Sequence, residues 1–380
     1  MYFAASAQRQ RLKYTQRLQL IGKLSHLFSD STTPYLYYRI AEKIYCECFE
    51  ADDLSRGDVS SDAVLTVTNK KIGIGLKTFL FNNGKTYQKI AEFNRQRGDY
   101  SHYPSFDLVK KVAELRNNRL NFTSRAYQLD AAIYHCVVRK EGAFQIFEEP
   151  MNLIDINNIC ITKDNNNIIN FSDGLSEYKF NISKSTLYKR FITETALHSF
   201  AVDILMQPFD FIDPAITNKS EHALLKSNAE QRIEDTLYLP LYGRNKEVHL
   251  RSGLNQWHAN GRKRDINEAY IPVPRLIHKL KPDFFPQGNT AFSLLLPNNK
   301  ILQSKLCQQG NKALMSQSNK ALGQWILRDI LNLKEGDLLT YAHLRSIGID
   351  SVRIDKFYNG TYSINFSKLD SYESFIKELK

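Results

Sequence analysis

Two groups of residues in this chain could do chemistry. In "SSDAVLTVTNKKIGIGLKTFLF" an aspartate, Asp62, and a lysine, Lys77, sit on two β-rich runs joined through Asn69, Lys70 and Lys71. A two-residue turn at Asn69-Lys70 sets Asp62 directly across from Lys77, whereas a turn at Lys70-Lys71 sets Lys77 opposite Val64 and leaves Asp62 diagonal. Side chains alternate with a period of two, so either register keeps the pair on one face. Such a pair is a surface salt bridge, or it serves a phosphate ester: the carboxylate holds a hard cation and the ammonium offsets charge. The second group is polar and loop-borne. "RSGLNQWHANGRKRD" (Arg251–Asp265) and "QQGNKALMSQSNK" (Gln308–Lys320) carry Lys, Arg, Asn and Gln with little to build a core. Arg fits guanine edges and Asn or Gln adenine edges, while Lys and backbone amides mostly grip phosphate. The plainer reading is two solvated loops.

The charge distribution favours the sharper one. The 380-residue chain carries +11, and residues 241–330 hold 14 Lys+Arg against 5 Asp+Glu, which is most of that excess. A basic balance says nothing about fold but favours an anionic partner. With 42% hydrophobic and 24% charged residues, the composition is that of a globular protein, not of disorder or fibre. Cys46, Cys48, Cys136, Cys160 and Cys307 form no even framework, and Cys46 and Cys48 point apart on a helix, so reduced thiols are expected rather than a zinc site. The N-terminal "MYFAASAQRQRLKYTQ" has no apolar h-region, and no run approaches the ~20 apolar residues of a membrane span. A soluble, cytoplasmic protein is expected.

The elements that must position these residues follow from periodicity. Residues 8–29 read as an amphipathic helix, and "SDSTTPYLYYRIAEKIYCECF" supplies caps and then helical spacing to about Cys48. After the hairpin, "GKTYQKIAEFNRQ" and "FDLVKKVAELRNNRL" read as helices, and "AAIYHCVVRK", "AFQIFEEP" and "NNICITK" as strands. "SKSTLYKRF" reads as a serine-capped helix with Lys184, Lys189 and Arg190 on a basic face. An acidic, proline-bearing stretch follows. Beyond it come short strands with turn signals, broken by the helices "NKALGQWILRDILNL" and "TYAHLRSIG", with a late hairpin at Asn359-Gly360. Trp325 falls in the first of these helices and is expected in the core. The layout is an α/β domain over 1–210, a linker over 211–235 and a mainly β domain over 236–380.

Two resemblances sharpen the reading. "RSGLNQWHANGRKRDINEAYIPVP", "FFP" and "FSLLLPNNKILQSKLCQQGNKALMSQSNKALGQWILRDILNLKEGDLLTYAHLRSIGIDSVRI" resemble, over roughly 130 residues, the recognition domain of NgoFVII-type type II restriction endonucleases. That family implies a seven-stranded pseudobarrel of the plant B-three kind, whose two arms enter the major groove of double-stranded DNA. Carried over by position, the readers are Arg251, Asn255, Trp257, Arg262 and Arg264 in the first arm, and Lys312, Ser316, Asn319 and Lys320 in the second. Trp257 serves equally well as a packing anchor. Gly253 and Gly261 would let backbone approach DNA closely.

The Asp62–Lys77 hairpin after a helix is similar to the core of the PD-(D/E)XK nucleases, a mixed sheet flanked by helices. That resemblance implies Mg2+-dependent phosphodiester hydrolysis giving 5′-phosphate ends. The acid it expects two residues before the lysine is here Gly75. Some restriction enzymes of this fold take that acid from the following helix, where Glu92 lies with Gln88 one turn before it, so Asp62 and Glu92 are the implied metal ligands. Glu42, on the preceding helix, is the alternative. The family further implies paired active sites, as a homodimer or by pairing on DNA, and a cognate DNA methyltransferase. A phospholipase D-type catalytic domain, fused to close relatives of this reader, would need a His-x-Lys signature, which the chain lacks.

Overall fold

The computed structural model describes residues 1–55, 57–210, 233–258, 261, 264–287 and 290–379. The chain divides into two compact units, Met1–Ser124 with Leu129–Ser220, and Arg125–Gln128 with Glu221–Lys380. Most of the expected linker lies outside the described residues.

Apolar alternation builds the first unit's main sheet. It comprises β1 (Asp52–Asp53), β2 (Ala63–Val67), β3 (Lys70–Leu80), β5 (Ala131–Lys140), β6 (Ala143–Pro150) and β11 (His198–Ala201), side by side in that order. All neighbours are antiparallel except β3 and β5, which run parallel around an intervening helix, Ser105–Tyr127. One face carries Ala63, Leu65, Ile72, Ile74, Leu76, Ile133 and Val137. It packs on α1 (Gln8–Lys23) and α2 (Tyr38–Phe49) through Tyr14, Leu18, Ala41, Ile44 and Tyr45. The other face carries Phe79, Tyr134, Cys136 and Val138 and meets Phe191 of a second sheet.

That second sheet runs β4 (Lys85–Glu92), β10 (Thr186–Ile192), β9 (Glu177–Asn181), β8 (Ile168–Ser172), β7 (Cys160–Asn165), antiparallel throughout. It overturns two expected helices. "SKSTLYKRF" is mostly β10, because Leu187, Lys189 and Phe191 alternate and are all buried. "GKTYQKIAEFNRQ" is mostly β4. Its Lys, Gln and Glu favour helix in isolation, but pairing with β10 along its whole length prevails.

The second unit is a seven-stranded sheet ordered β12 (Ile233–Pro240), β17 (Ile349–Phe357), β18 (Tyr362–Lys368), β14 (Phe292–Leu295), β15 (Ile301–Cys307), β16 (Ala313–Ser316), β13 (Ile271–Pro272). Its two end strands, β12 and β13, come into contact, so the sheet curls toward a barrel. The expected hairpin joins β17 and β18, with Gly360 at φ 77° in its turn. Residues 321–330 are helical, with π-helical winding from Gln324, and Trp325 is core, stacked obliquely on Phe366. Three short α-helices, Arg275–Leu280, Tyr341–Ile347 and Ser371–Glu378, complete the described part of the unit. The cysteines are free thiols. Among the described residues no helix is long and apolar enough to cross a membrane.

Candidate functional site

The β2–β3 hairpin turns at Thr68-Asn69, both left-handed (φ 46° and 64°), one residue earlier than the nearer of the two expected turns. Its register pairs Ala63 with Ile74. Asp62 therefore faces Gly75: its N–H donates to Ile74 O at 2.7 Å, and its Oδ2 accepts from Leu76 N at 2.7 Å. Lys77 is diagonal to Asp62. The offset between them is an even number of residues, so both side chains still share one face. Lys77 Nζ lies 6.0 Å from the Tyr134 ring centroid.

Gly75 is closely surrounded by side chains. A Cβ there would stand 2.5 Å from Met151 Cε and 3.1 Å from Tyr134 Cδ1. An acid at the position where the nuclease motif carries one therefore requires the Met151 side chain to move aside.

The second carboxylate comes from α2. Glu42 is 5% exposed and paired with Arg39 at 3.1 Å; Arg39 also donates to Ser55 O. Burial pushes the Glu42 carboxyl upward, the negative charge of Asp62 pushes it further, and Arg39 opposes both. Burial likewise raises Asp62, against the pull of Lys77 and of the Leu76 N–H. Asp53, which β1 sets beside Ala63, adds its repulsion to both acids. Glu42 thus feels Asp62, Asp53 and Arg39, and Asp62 feels Lys77, Arg39 and Asp53. Asp53 was missed in the sequence because "ADDLS" carries no strand signal.

Glu92 does not join them. It ends edge strand β4, exposed, with its carboxylate on Lys89 Nζ at 3.2 Å and on the Asn94 amide. Gln88, on the same strand, donates to Thr86 Oγ1 at 3.0 Å and stands opposite Lys189. The helix that was to bring both toward Asp62 is a strand instead, so the acid beside Asp62 is Glu42 and not Glu92. Lys189 is also no surface cation: it is 8% exposed and bound to Glu149, whose carboxyl burial pushes up. Arg190 pairs with Glu177 at 2.6 Å.

The arms of the second unit share a base. β13 pairs with β16, Ile271 with Leu314, and Tyr270 N donates to Gly253 O at 2.8 Å. Arg328 donates to Ile266 O and Asn267 Oδ1, fixing the end of the first arm on the 321–330 helix. Gly323 allows this approach, since a Cβ there would overlap Asn267 O at 1.9 Å.

Two expected readers are spent inside the fold. Asn255 is 1% exposed; its amide donates to His249 O and Leu339 O and accepts from Leu339 N. Ser316 is 1% exposed, donating to Ser318 O and accepting from Leu322 N. Gly253 makes its close approach to Tyr270, not to a ligand, since a Cβ there would stand 2.6 Å from Tyr270 O.

The second arm is also not one arm. Residues 313–316 are the buried strand β16, which separates Lys312 from Asn319 and Lys320. The antiparallel β13–β16 register sets the end of the first arm beside the 317–320 loop and leaves Lys312 at the far end of the strand, next to Val273. Arg251, Asn319 and Lys320 are exposed, and Trp257 and Arg264 half-buried. Arg262 lies outside the described residues. Gly261 holds φ 130° in open space, a conformation suited to glycine alone.

Residues 229–358 match the family described as the NgoFVII C-terminal B3-like DNA-binding domain. The match takes in both arm segments and every strand of the curled sheet but the last, β18. No curated protein matches the chain.

Proposed function

We propose that the protein is a restriction-type, site-specific DNA endonuclease whose second unit reads duplex DNA and whose first unit cuts it. The observation that carries the reading is the family match over 229–358, which falls on the region holding most of the chain's positive charge. The reading set is Arg251, Trp257, Arg262 and Arg264 in the first arm, with Asn319 and Lys320 from the adjoining loop. Arginine and asparagine read base edges, and Lys320 grips phosphate.

The cutter rests on Glu42 in helix α2, Asp62 just before β2 and Lys77 in the neighbouring β3 of a mixed sheet, an arrangement similar to the PD-(D/E)XK core. The donor set suits Mg2+: Glu42 and Asp62 are hard oxygen ligands, and the negative charge of Asp62 raises the affinity of Glu42 for positive charge. A bound Mg2+ supplies polarisation of the phosphate and a lowered pKa for a coordinated water. Asp62 and Glu42 would hold it, Asp53 would add negative potential, and Arg39 pairs with Glu42. Lys77 positions the attacking water and offsets charge gathering on the phosphate. A double-strand cut requires two such sites, so the chain acts as a homodimer or pairs on DNA, with a methyltransferase protecting the same sequence.

Methylation-free phage DNA incubated with the protein and Mg2+ should give discrete fragments with 5′-phosphate ends. EDTA should stop the reaction. Lys77→Ala should lower the rate by ~100–1000-fold while a gel shift still forms. The glycine at position 75, in place of the motif's acid, favours a second reading, a DNA-binding protein without cleavage; a specific gel shift with no nicking under any divalent cation would establish it instead.

A further inference from the structure

Away from both sites, three carboxylates of the second unit converge. Asp350, in β17, is 0% exposed. Asp370 caps the C-terminal helix Ser371–Glu378 in a left-handed conformation (φ 65°), and Glu373 lies in that helix's first turn. One carboxylate oxygen from each lies within 4.8 Å of the others. Asp350 Oδ2 accepts from the Tyr341 hydroxyl at 3.2 Å and from Asp370 N at 3.0 Å. The Tyr242 hydroxyl donates to Glu373 Oε1, and Lys246 Nζ donates to Asp370 Oδ1. Asp350 Oδ1 and Glu373 Oε2 are sealed from solvent and, among the described residues, have no hydrogen-bond partner.

A buried carboxylate oxygen without a partner is costly, and here two fall in one cluster. The ammonium of Lys246 sets one positive charge against three carboxylates. We propose that Asp350, Asp370 and Glu373 form a binding site for one divalent cation, with Ca2+ the best fit. Carboxylate oxygens select hard cations over the softer transition metals. Ca2+ bonds oxygen at about 2.3–2.6 Å in a pliable shell, so ligands on opposite sides of it stand roughly 4.6–5.2 Å apart. Three oxygens within 4.8 Å of one another fall inside the span that such a shell allows. Mg2+, with opposite oxygens at roughly 4.0–4.2 Å in a strict octahedron, tolerates less spread among its ligands. Occupation staples the start of β17 to the C-terminal helix. Asp370 and Glu373 lie beyond the 229–358 match, so the site is not covered by that assignment.

Tb3+, a luminescent stand-in for Ca2+, tests this on the full chain stripped with EDTA. Tyr341 and Tyr242 touch the cluster and should sensitise Tb3+ emission on tyrosine excitation. Ca2+ should displace Tb3+ at lower concentration than Mg2+ and raise the wild-type melting temperature. Asp350→Asn and Glu373→Gln should each weaken binding by at least ~10–100-fold, the loss typical when even an outer partner of a metal is removed. Glu373→Gln, at a half-buried helix position, keeps shape and removes only charge, so it stays informative if Asp350→Asn misfolds. The emission lost in these variants should survive in Asp62→Asn, which separates this site from the proposed cutter. Emission that persists in both variants, or is lost in Asp62→Asn alone, overturns the proposal. So does the absence of both sensitised emission and a Ca2+-dependent melting shift, in which case a shared proton satisfies the cluster.

Discussion

The acid–lysine cluster and the arms stand differently on their scaffolds. Glu42 is in the middle of α2, Lys77 is inside β3, and Asp62 is tied to β3 through both backbone and carboxylate. Arg251, Asn319 and Lys320 instead occupy exposed loops, and the polar arm residues that are buried, Asn255 and Ser316, hold those loops in place. Groups acting on one phosphorus atom need fixed mutual positions, which regular elements supply. Side chains following a groove need reach, and a loop with an anchored base supplies that. In the arms, the buried polar residues are anchors and the proposed readers Arg251, Asn319 and Lys320 are exposed. In the cluster, Glu42 is buried, and Asp62 and Lys77 are half-buried.

That contrast can be broken at several points. The largest effect is expected where the second acid is removed. Glu42→Gln should reduce Mg2+-dependent cleavage by ~10–100-fold or more, while Glu92→Gln should leave it unchanged; the opposite ranking in a nicking assay would return the metal to the β4 edge. Next, Gly75→Asp restores the motif's missing carboxylate. Against Met151 and Tyr134 it should cost ~1–3 kcal/mol by overpacking and give no gain in cleavage, as measured by denaturant melts beside the rate. If cleavage rises instead, the crowding argument fails.

Asn255→Ala should destabilise the second unit by ~1–3 kcal/mol, since Leu339 N–H and carbonyl lose their buried partners. Thermal melting reads this out, and unchanged stability with weaker DNA binding would restore Asn255 to the readers. The smallest effect separates the ends of β16. Lys320→Ala should lower the slope of log binding constant against log salt by about 1, and Lys312→Ala by less. Equal slopes would mean that both ends of the strand touch phosphate.

Much of this was legible in the sequence where the signal is local. The helices at 8–23, 38–49 and 105–127 follow from apolar spacing, and the β17–β18 hairpin from Asn359-Gly360. The basic window and the arms' base composition pointed to the segments that the family match covers. Signals failed where partners decided the outcome. Lys189 looked like a surface charge until β10 placed it in a buried row beside Glu149, and the Lys, Gln and Glu of β4 read as helix until β10 paired with them. Asn255 and Arg264 look alike in sequence as polar arm residues, and only Leu339, 84 positions away from Asn255 in the chain, tells them apart.

The chain by itself determined which residues are available: an acid and a lysine on one hairpin face, a basic stretch with little core, and a glycine where an acid was expected. Period and composition are local properties, so they survive without a fold. Which acid stands by Asp62, which arm residues are spent as anchors, and that Asp350, Asp370 and Glu373 meet at all were decided by packing. Those facts depend on contacts between residues far apart in sequence, and only the folded backbone fixes such distances.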